Sequence, residues 1–257
     1  MTVVRIGAIA HNTVREAIRN KLLYTLLFFA IVLIGTGVLV STLSYVESER
    51  ILQEVALAAI RLMSVGIAVF VGVGLIHGEV ERRTIYTILS KPVSRVDFLL
   101  GKYVGLVATT WLMLCVMALA FAGVSLATGA PLDSGHLICF FLIGMELVVM
   151  VAAATLFSAF TTPMLASLFT VGVYVLGHLS RDLRMLGEQA KAESVRPVAE
   201  ALFQVLPDLE SFNVTIEAVH QLPIPAAEVG WATLYGLGYA TLLLIVASTL
   251  FNRRDFR

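Results

Sequence analysis

Two ionisable side chains, Arg61 and Glu146, stand inside long apolar stretches of the sequence. A charge in hydrocarbon is costly unless it faces an opposite charge or a water-filled cavity, so each residue marks a candidate polar site. Both stretches are entered from the same side, about six residues before Arg61 and about ten before Glu146. At 1.5 Å per residue the two depths differ by roughly 6 Å, which an Arg side chain can bridge.

The sequence therefore allows an ion pair between Arg61 and Glu146. Three interpretations of these residues remain open. The pair lines a transport path, or it only orients two helices, or Arg61 extends to the membrane surface beside Glu54 instead.

The residue patterns of common enzyme sites are missing. No Gly-x-x-x-x-Gly-Lys-Ser/Thr loop occurs, because Gly101-Lys102 is followed by Tyr103, so the chain has no P-loop for ATP hydrolysis. Glu146 has no evident acidic or histidine partner, and His178 stands alone at the end of an apolar run. The histidines lack metal-ligand spacing; they are His11, His77, His136, His178 and His220. We expect no catalytic residue, metal or directly bound cofactor.

Arg61 and Glu146 lie in two of several long apolar runs. The chain is 58% hydrophobic and 14% charged, against roughly 25% charged in soluble domains. About 20 apolar residues in a helix cross the hydrocarbon core. Six runs of this kind occur, the fifth of them short: Leu22–Leu43, Val55–Ile76, Val104–Ala127, Leu137–Phe160, Met164–Leu179 and Trp231–Phe251. None alternates as barrel strands do, so we expect an all-α integral membrane protein with six transmembrane helices. Cys115 and Cys139 fall inside these runs and are interpreted as free thiols.

The basic residues are distributed unevenly between the loops. Twelve of the eighteen lie in the N-terminal segment, the loop after the second run and the C-terminal tail. Twelve of the eighteen acidic residues lie on the other side. Because cytoplasmic loops are rich in Lys and Arg, both termini are predicted to be cytoplasmic and the 180–230 segment extracytoplasmic.

Three segments are predicted to lie outside the bilayer. Residues 3–20 form an amphipathic pattern typical of an interfacial helix; a simple basic leader that sets the topology is the alternative. Residues 180–230 contain helix-like stretches at 181–192 and 198–206 among four prolines, which predicts a small helical cap. Between the second and third runs, Ile85, Ile88 and Leu89 form one apolar edge of a short helix that Pro92 ends. Either a groove on a partner protein or the lipid headgroup layer covers this edge.

The stretch from Gly78 to Arg95, followed by Phe98 and Gly101-Lys102-Tyr103-Val104-Gly105, resembles the ABC-2 type permeases. The branch that it resembles most contains the nitrous-oxide-reductase maturation and gliding-motility permeases. Supporting landmarks are Arg15 to Lys21, Leu206 to Phe212 and Phe251 to Phe256. They extend the resemblance over nearly the whole chain.

The resemblance implies a single permease domain, residues 1–257, that pairs with a second copy or a homologue. It implies two copies of a separate ABC ATPase subunit, which binds ATP and Mg²⁺, and no nucleic acid. Residues 79–95 would be the cytoplasmic coupling helix, with Ile85, Ile88 and Leu89 inserted into the ATPase. The residues assigned to coupling are Glu79, Glu81, Arg82, Arg83, Ile85, Ile88, Leu89, Pro92 and Arg95.

Three functions follow from this resemblance and its alternatives. The leading one is ATP-driven export of a substrate from a bacterial inner membrane. The second is mechanotransmission, in which the ATPase stroke is relayed through residues 180–230 to a periplasmic partner without transport. The third, a channel or anchor without an ATPase, predicts that the Ile85–Leu89 edge is buried in lipid or in its own chain. A shared cavity lined by Arg61, Glu146 and Thr170 would favour transport, and a dry seam would favour the relay.

Overall fold

The computed structural model describes residues 2–42, 47–81, 94–182, 185 and 205–253. In these residues all regular structure is helical. The helices are α1 (Thr2–Ile18), α2 (Lys21–Ser41), α3 (Ser48–Glu81), α4 (Arg95–Thr128), α5 (Ser134–Phe160), α6 (Pro163–His178), a 3-10 turn (Leu209–Phe212), α7 (Thr215–Val219) and α8 (Ala226–Arg253). The predicted helical stretches at 181–192 and 198–206 lie mostly outside the described residues.

Five of these helices are long and apolar enough to cross a membrane, namely α2, α3, α4, α5 and α8. Each coincides with one predicted apolar run. The remaining run forms α6, which has only 16 residues. At 1.5 Å per residue α6 is about 24 Å long, less than the roughly 30 Å of the hydrocarbon core. The chain is therefore a multi-pass helical membrane protein, and its sixth span remains a prediction.

The helix α5 lies at the centre of the bundle. In its most apolar stretch 78% of residues are buried, compared with 22% in α2 and in α8. It packs against α3, α4, α6 and α8. The approach of α4 is close at Gly144, where the Trp111 ring lies against the glycine and its Nε1 donates to the Gly144 carbonyl at 3.0 Å. Any polar residue on α5 at this depth is therefore removed from lipid and from water.

The first helix packs against α4 through a Gly-x-x-x-Gly pair. A Cβ atom at Gly101 would lie 2.6 Å from Ile9 Cβ, and one at Gly105 would lie 2.6 Å from Thr13 Cβ. Small residues at this spacing allow two helices to approach closely. An ion pair of 3.1 Å between Lys102 Nζ and Glu16 Oε2 joins the same two helices. The apolar face of the predicted interfacial helix is thus covered, at least in part, by the chain itself.

One end of the bundle is closed by residues 205–221, which we call the cap. Three glycines of the bundle mark where the cap inserts. Leu209 lies over Gly177 of α6, Ala218 over Gly135 of α5, and the ring of Phe212 over Gly236 of α8. Leu209, Phe212 and Ala218 are fully buried. The cap therefore fills space between helices with apolar side chains and is part of the same core.

Candidate functional site

The candidate site is built from four elements that meet beneath the cap. Arg61 comes from α3, Glu146 from the central helix α5, His178 is the last residue of α6, and Glu210 lies in the 3-10 turn of the cap. We call these four residues the cluster. The helix α6 ends at His178, and this end lies beside Glu146 of α5.

Ion contacts join the four side chains in sequence. Arg61 Nε lies 3.5 Å from Glu146 Oε2, and His178 Nε2 lies 3.3 Å from Glu146 Oε1. The other ring nitrogen of His178, Nδ1, lies 3.5 Å from Glu210 Oε2. Its two nitrogens thus face different carboxylates. No group of three potential metal ligands occurs among the described residues.

Burial increases along this series of contacts. The side chain of Glu210 is 37% exposed, that of His178 is 19% exposed and that of Glu146 is fully buried. Neither carboxylate oxygen of Glu146 accepts a hydrogen bond from a described residue. Transfer of a carboxylate out of water is costly, and the Arg61 guanidinium supplies an opposite charge next to it.

The cluster also holds the cap. Arg61 Nη2 donates a hydrogen bond to the backbone carbonyl of Phe212 at 3.3 Å. Glu210, two residues earlier in the cap, contacts His178. The cap is thus held both by its buried apolar side chains and by two polar contacts to α3 and α6.

A cavity of about 770 Å³ opens above the cluster. Arg61, Arg181 and His178 line it together with the carboxylates of Glu54, Asp182 and Glu210, and Tyr174 adds an aromatic face. Glu146, whose Oε2 lies 3.5 Å from Arg61 Nε, is not among the lining residues. The cavity therefore has charged groups in a largely apolar lining, and one of these groups belongs to a buried ion pair.

Of the three polar residues predicted within the spans, two lie in contact and one lies apart. It brings Arg61 and Glu146 together, as the spacing of the two residues allowed. Thr170 does not join them, because its Oγ1 donates to the Ala166 carbonyl of its own helix at 2.7 Å. Of the three residues expected to share a cavity, Arg61 lines the cavity above the cluster, and Glu146 and Thr170 are not among the described residues that line it.

The interpretation of His178 as isolated, and of Glu146 as lacking a histidine partner, was wrong. The signal that could have revealed the contact is the length of α6, whose 16 residues end before the full thickness of the hydrocarbon core. Glu210 carried no comparable signal, since nothing local in residues 205–221 shows that this segment inserts between helices.

The coupling segment lies largely outside the described residues, which include neither 82–93 nor the side chains of Glu79 and Glu81. The insertion of Ile85, Ile88 and Leu89 into the ATPase therefore stays a prediction. Arg95 is described: it is the first residue of α4, and its Nη1 donates to the Phe251 carbonyl at 3.4 Å. This contact joins the start of α4 to the end of α8.

A protein-family model matches nearly the whole chain. The model described as ABC-2 family transporter protein matches residues 7–256. Among curated proteins none matches the chain significantly. The family match covers nearly the whole chain, and the described part contains five helices able to cross a membrane. The chain thus belongs to the ABC-2 transporter family and is a membrane permease subunit of an ABC transporter.

Proposed function

We propose that this chain couples ATP hydrolysis by a separate ATPase subunit to the export of a substrate across a bacterial inner membrane. In this proposal α6 is the sixth span, both termini are cytoplasmic, and the cap is extracytoplasmic. Two permease copies and two ATPase subunits form the complex. ATP and Mg²⁺ are bound by the ATPase, and the permease contributes no catalytic residue.

The observation that carries the proposal is the family match over residues 7–256 together with a cavity that is lined by Arg61 of a buried ion pair. Charged side chains at membrane depth commonly lie along substrate or ion pathways. The position of Arg61 in the cavity wall supports such a pathway. A second permease copy would be needed to extend it through the membrane.

The ATPase contact is tested at residues 79–95. A short rigid helix inserted into the ATPase can transmit nucleotide-driven closure to the spans only if its apolar edge is buried there. In a double variant with Ile85→Asp and Leu89→Asp, we expect the co-expressed ATPase to be lost on purification and ATP hydrolysis to fall to background.

The matched control is a double variant with Val205→Asp and Leu222→Asp. Both are apolar residues at the cap end of the bundle, and they are 72% and 50% exposed. The control should retain the ATPase. Retention of the ATPase by the Ile85/Leu89 variant would contradict the coupling assignment, and a chain that purifies without any ATPase would favour a channel or anchor.

Mechanotransmission to a periplasmic partner is the second candidate, and specific contacts favour it. The hydrogen bond from Arg61 to the Phe212 carbonyl and the contact of His178 with Glu210 join two spans directly to the cap. A movement of α3 or α6 would therefore displace the cap. Export and relay differ in whether ATP hydrolysis requires the cap to move.

A further inference from the structure

A second cavity, of about 490 Å³, lies between the cap and the first turns of α8. One wall is a stripe of α8 in which Glu228, Trp231 and Tyr235 follow one another at spacings of three and four residues. Side chains at these spacings lie on the same helix face. Trp231 lines the cavity and is 72% exposed. Its indole ring is therefore accessible to a ligand.

The opposite wall supplies carboxylates. Asp208 and Glu210 of the 3-10 region and Glu217 of α7 line it. Asp208 Oδ2 is paired with Arg181 at 2.8 Å, whereas the buried Oδ1 of the same side chain has no hydrogen-bond partner among the described residues. Glu210 contacts His178, and no ion pair is recorded for Glu217 or Glu228 in the part of the chain that the structure describes. With Glu228 from α8, four carboxylates and one guanidinium line this cavity.

Aromatic faces next to carboxylates are the arrangement that recognises organic ammonium groups. The face of an indole or phenol ring attracts a cation through its quadrupole, and the attraction is largest for Trp. A concave surface with an excess of one charge also raises the local concentration of the opposite ion. The hydroxyl of Tyr235 accepts a hydrogen bond from the backbone N–H of Asp208 at 2.8 Å, which holds the ring against the acidic wall.

We propose that the cavity between the cap and α8 binds the ammonium group of an organic cation, held between Trp231 and the carboxylates of Glu217 and Glu228. This proposal goes beyond the proposed function and does not depend on it, because binding can be measured on the permease without an ATPase. A volume of about 490 Å³ leaves room for a substituted ammonium group together with part of the molecule that carries it.

The test uses tetramethylammonium chloride as the probe and Trp231 as the reporter. The chain has only two tryptophans, Trp111 and Trp231. In the full chain carrying Trp111→Phe, we expect tetramethylammonium to change the Trp231 fluorescence in a saturable manner that equal sodium chloride does not reproduce. Isothermal titration calorimetry on the chain with both tryptophans retained provides a second measurement, since loss of the Trp111 hydrogen bond to Gly144 can affect folding.

Two charge-removing variants locate the site. Glu217→Gln and Glu228→Gln should each weaken binding about threefold or more, because each removes a charge next to the cation. The matched control is Glu54→Gln, which removes an acidic side chain from the other cavity and should leave the affinity unchanged. Equal responses to tetramethylammonium and sodium, or unchanged binding in the combined Glu217→Gln, Glu228→Gln variant, would overturn the proposal and leave Trp231 as a membrane-interface anchor only.

The ammonium group could belong to a lipid headgroup or to a soluble amine. Nanodiscs of phosphatidylcholine and of a neutral glycolipid without an amine separate the two sources. If the lipid is the ligand, phosphatidylcholine competes and tetramethylammonium binds more weakly than in the glycolipid discs. If a soluble cation is the ligand, the probe binds equally in both.

Discussion

At the scale of single residues, Glu146 is the most buried charged side chain of the described residues. Its carboxylate lies in the central helix, 3.5 Å from Arg61 and 3.3 Å from His178. Breaking such a pair from one side leaves an uncompensated buried charge, which costs more than replacing both partners by apolar groups. The cluster should therefore respond very differently to single and double substitutions.

We expect Glu146→Leu to destabilise the permease by about 3 kcal/mol, because Arg61 loses its counter-charge within the bundle. The double variant Arg61→Met, Glu146→Leu should recover most of that loss. Thermal unfolding in detergent, analysed as a double-mutant cycle, measures the coupling. Thr170→Val is the control, since the buried Thr170 hydroxyl bonds only within its own helix. Additive effects of the two substitutions would show that Arg61 and Glu146 do not interact.

At the scale of helices, α1 and α4 approach each other closely at two glycines. Gly105 faces both Thr13 Cβ and the backbone carbonyl of Ala10, at 2.6 and 2.7 Å from an ideal Cβ position. A backbone atom cannot rotate away as a side chain can, so an added methyl group must displace the helix. The ion pair between Lys102 and Glu16 then loses its geometry as well.

Gly105→Ala should loosen α1 from the bundle. We expect faster hydrogen exchange of residues 2–18 in this variant, measured by mass spectrometry on the full chain. Gly123→Ala on the same helix is the matched control, because a Cβ there meets nothing within 4 Å. It should leave exchange in α1 unchanged and can stabilise α4 slightly. Identical exchange in the two variants would rule out the close contact at Gly105.

At the scale of the whole molecule, movement of the cap distinguishes the two candidate functions, export and relay. It is joined to α3 and α6 by polar contacts and to α5, α6 and α8 by buried side chains. A relay requires the cap to follow α3 or α6 relative to the central helix α5 during ATP hydrolysis, whereas export through an interface between permease copies does not. Fixing the cap to α5 therefore separates the two functions.

A disulfide between Gly135→Cys and Ala218→Cys can fix it. An ideal Cβ at Gly135 lies 3.7 Å from Ala218 Cβ, within the range of roughly 3.5–4.5 Å found in disulfides. In a background where Cys115 and Cys139 are replaced by alanine, a relay predicts that oxidation suppresses ATP hydrolysis of the complex and that reduction restores it. Unchanged hydrolysis in the oxidised protein would exclude the relay. Each single-cysteine variant serves as the control for oxidation itself.

Local sequence properties determined a large part of this description. Of the six spans predicted from the apolar runs, five coincide with helices that are long and apolar enough to cross a membrane, because transfer of each side chain into hydrocarbon depends on that side chain and on few neighbours. They also identified Arg61 and Glu146 as costly and hence noteworthy. The family resemblance, carried by residues 78–105, was likewise visible without a structure and is confirmed by the match over residues 7–256.

Only the tertiary structure decided how these elements meet. The contact of His178 with Glu146 depends on where α6 ends relative to α5, and that of Glu210 with His178 depends on insertion of the cap between helices. The amphipathic pattern of α1 predicted a face that must be covered but not that Gly101 and Gly105 would cover it. Hydropathy acts on each segment separately, whereas these contacts join residues that are distant in the chain and arise only when the helices pack.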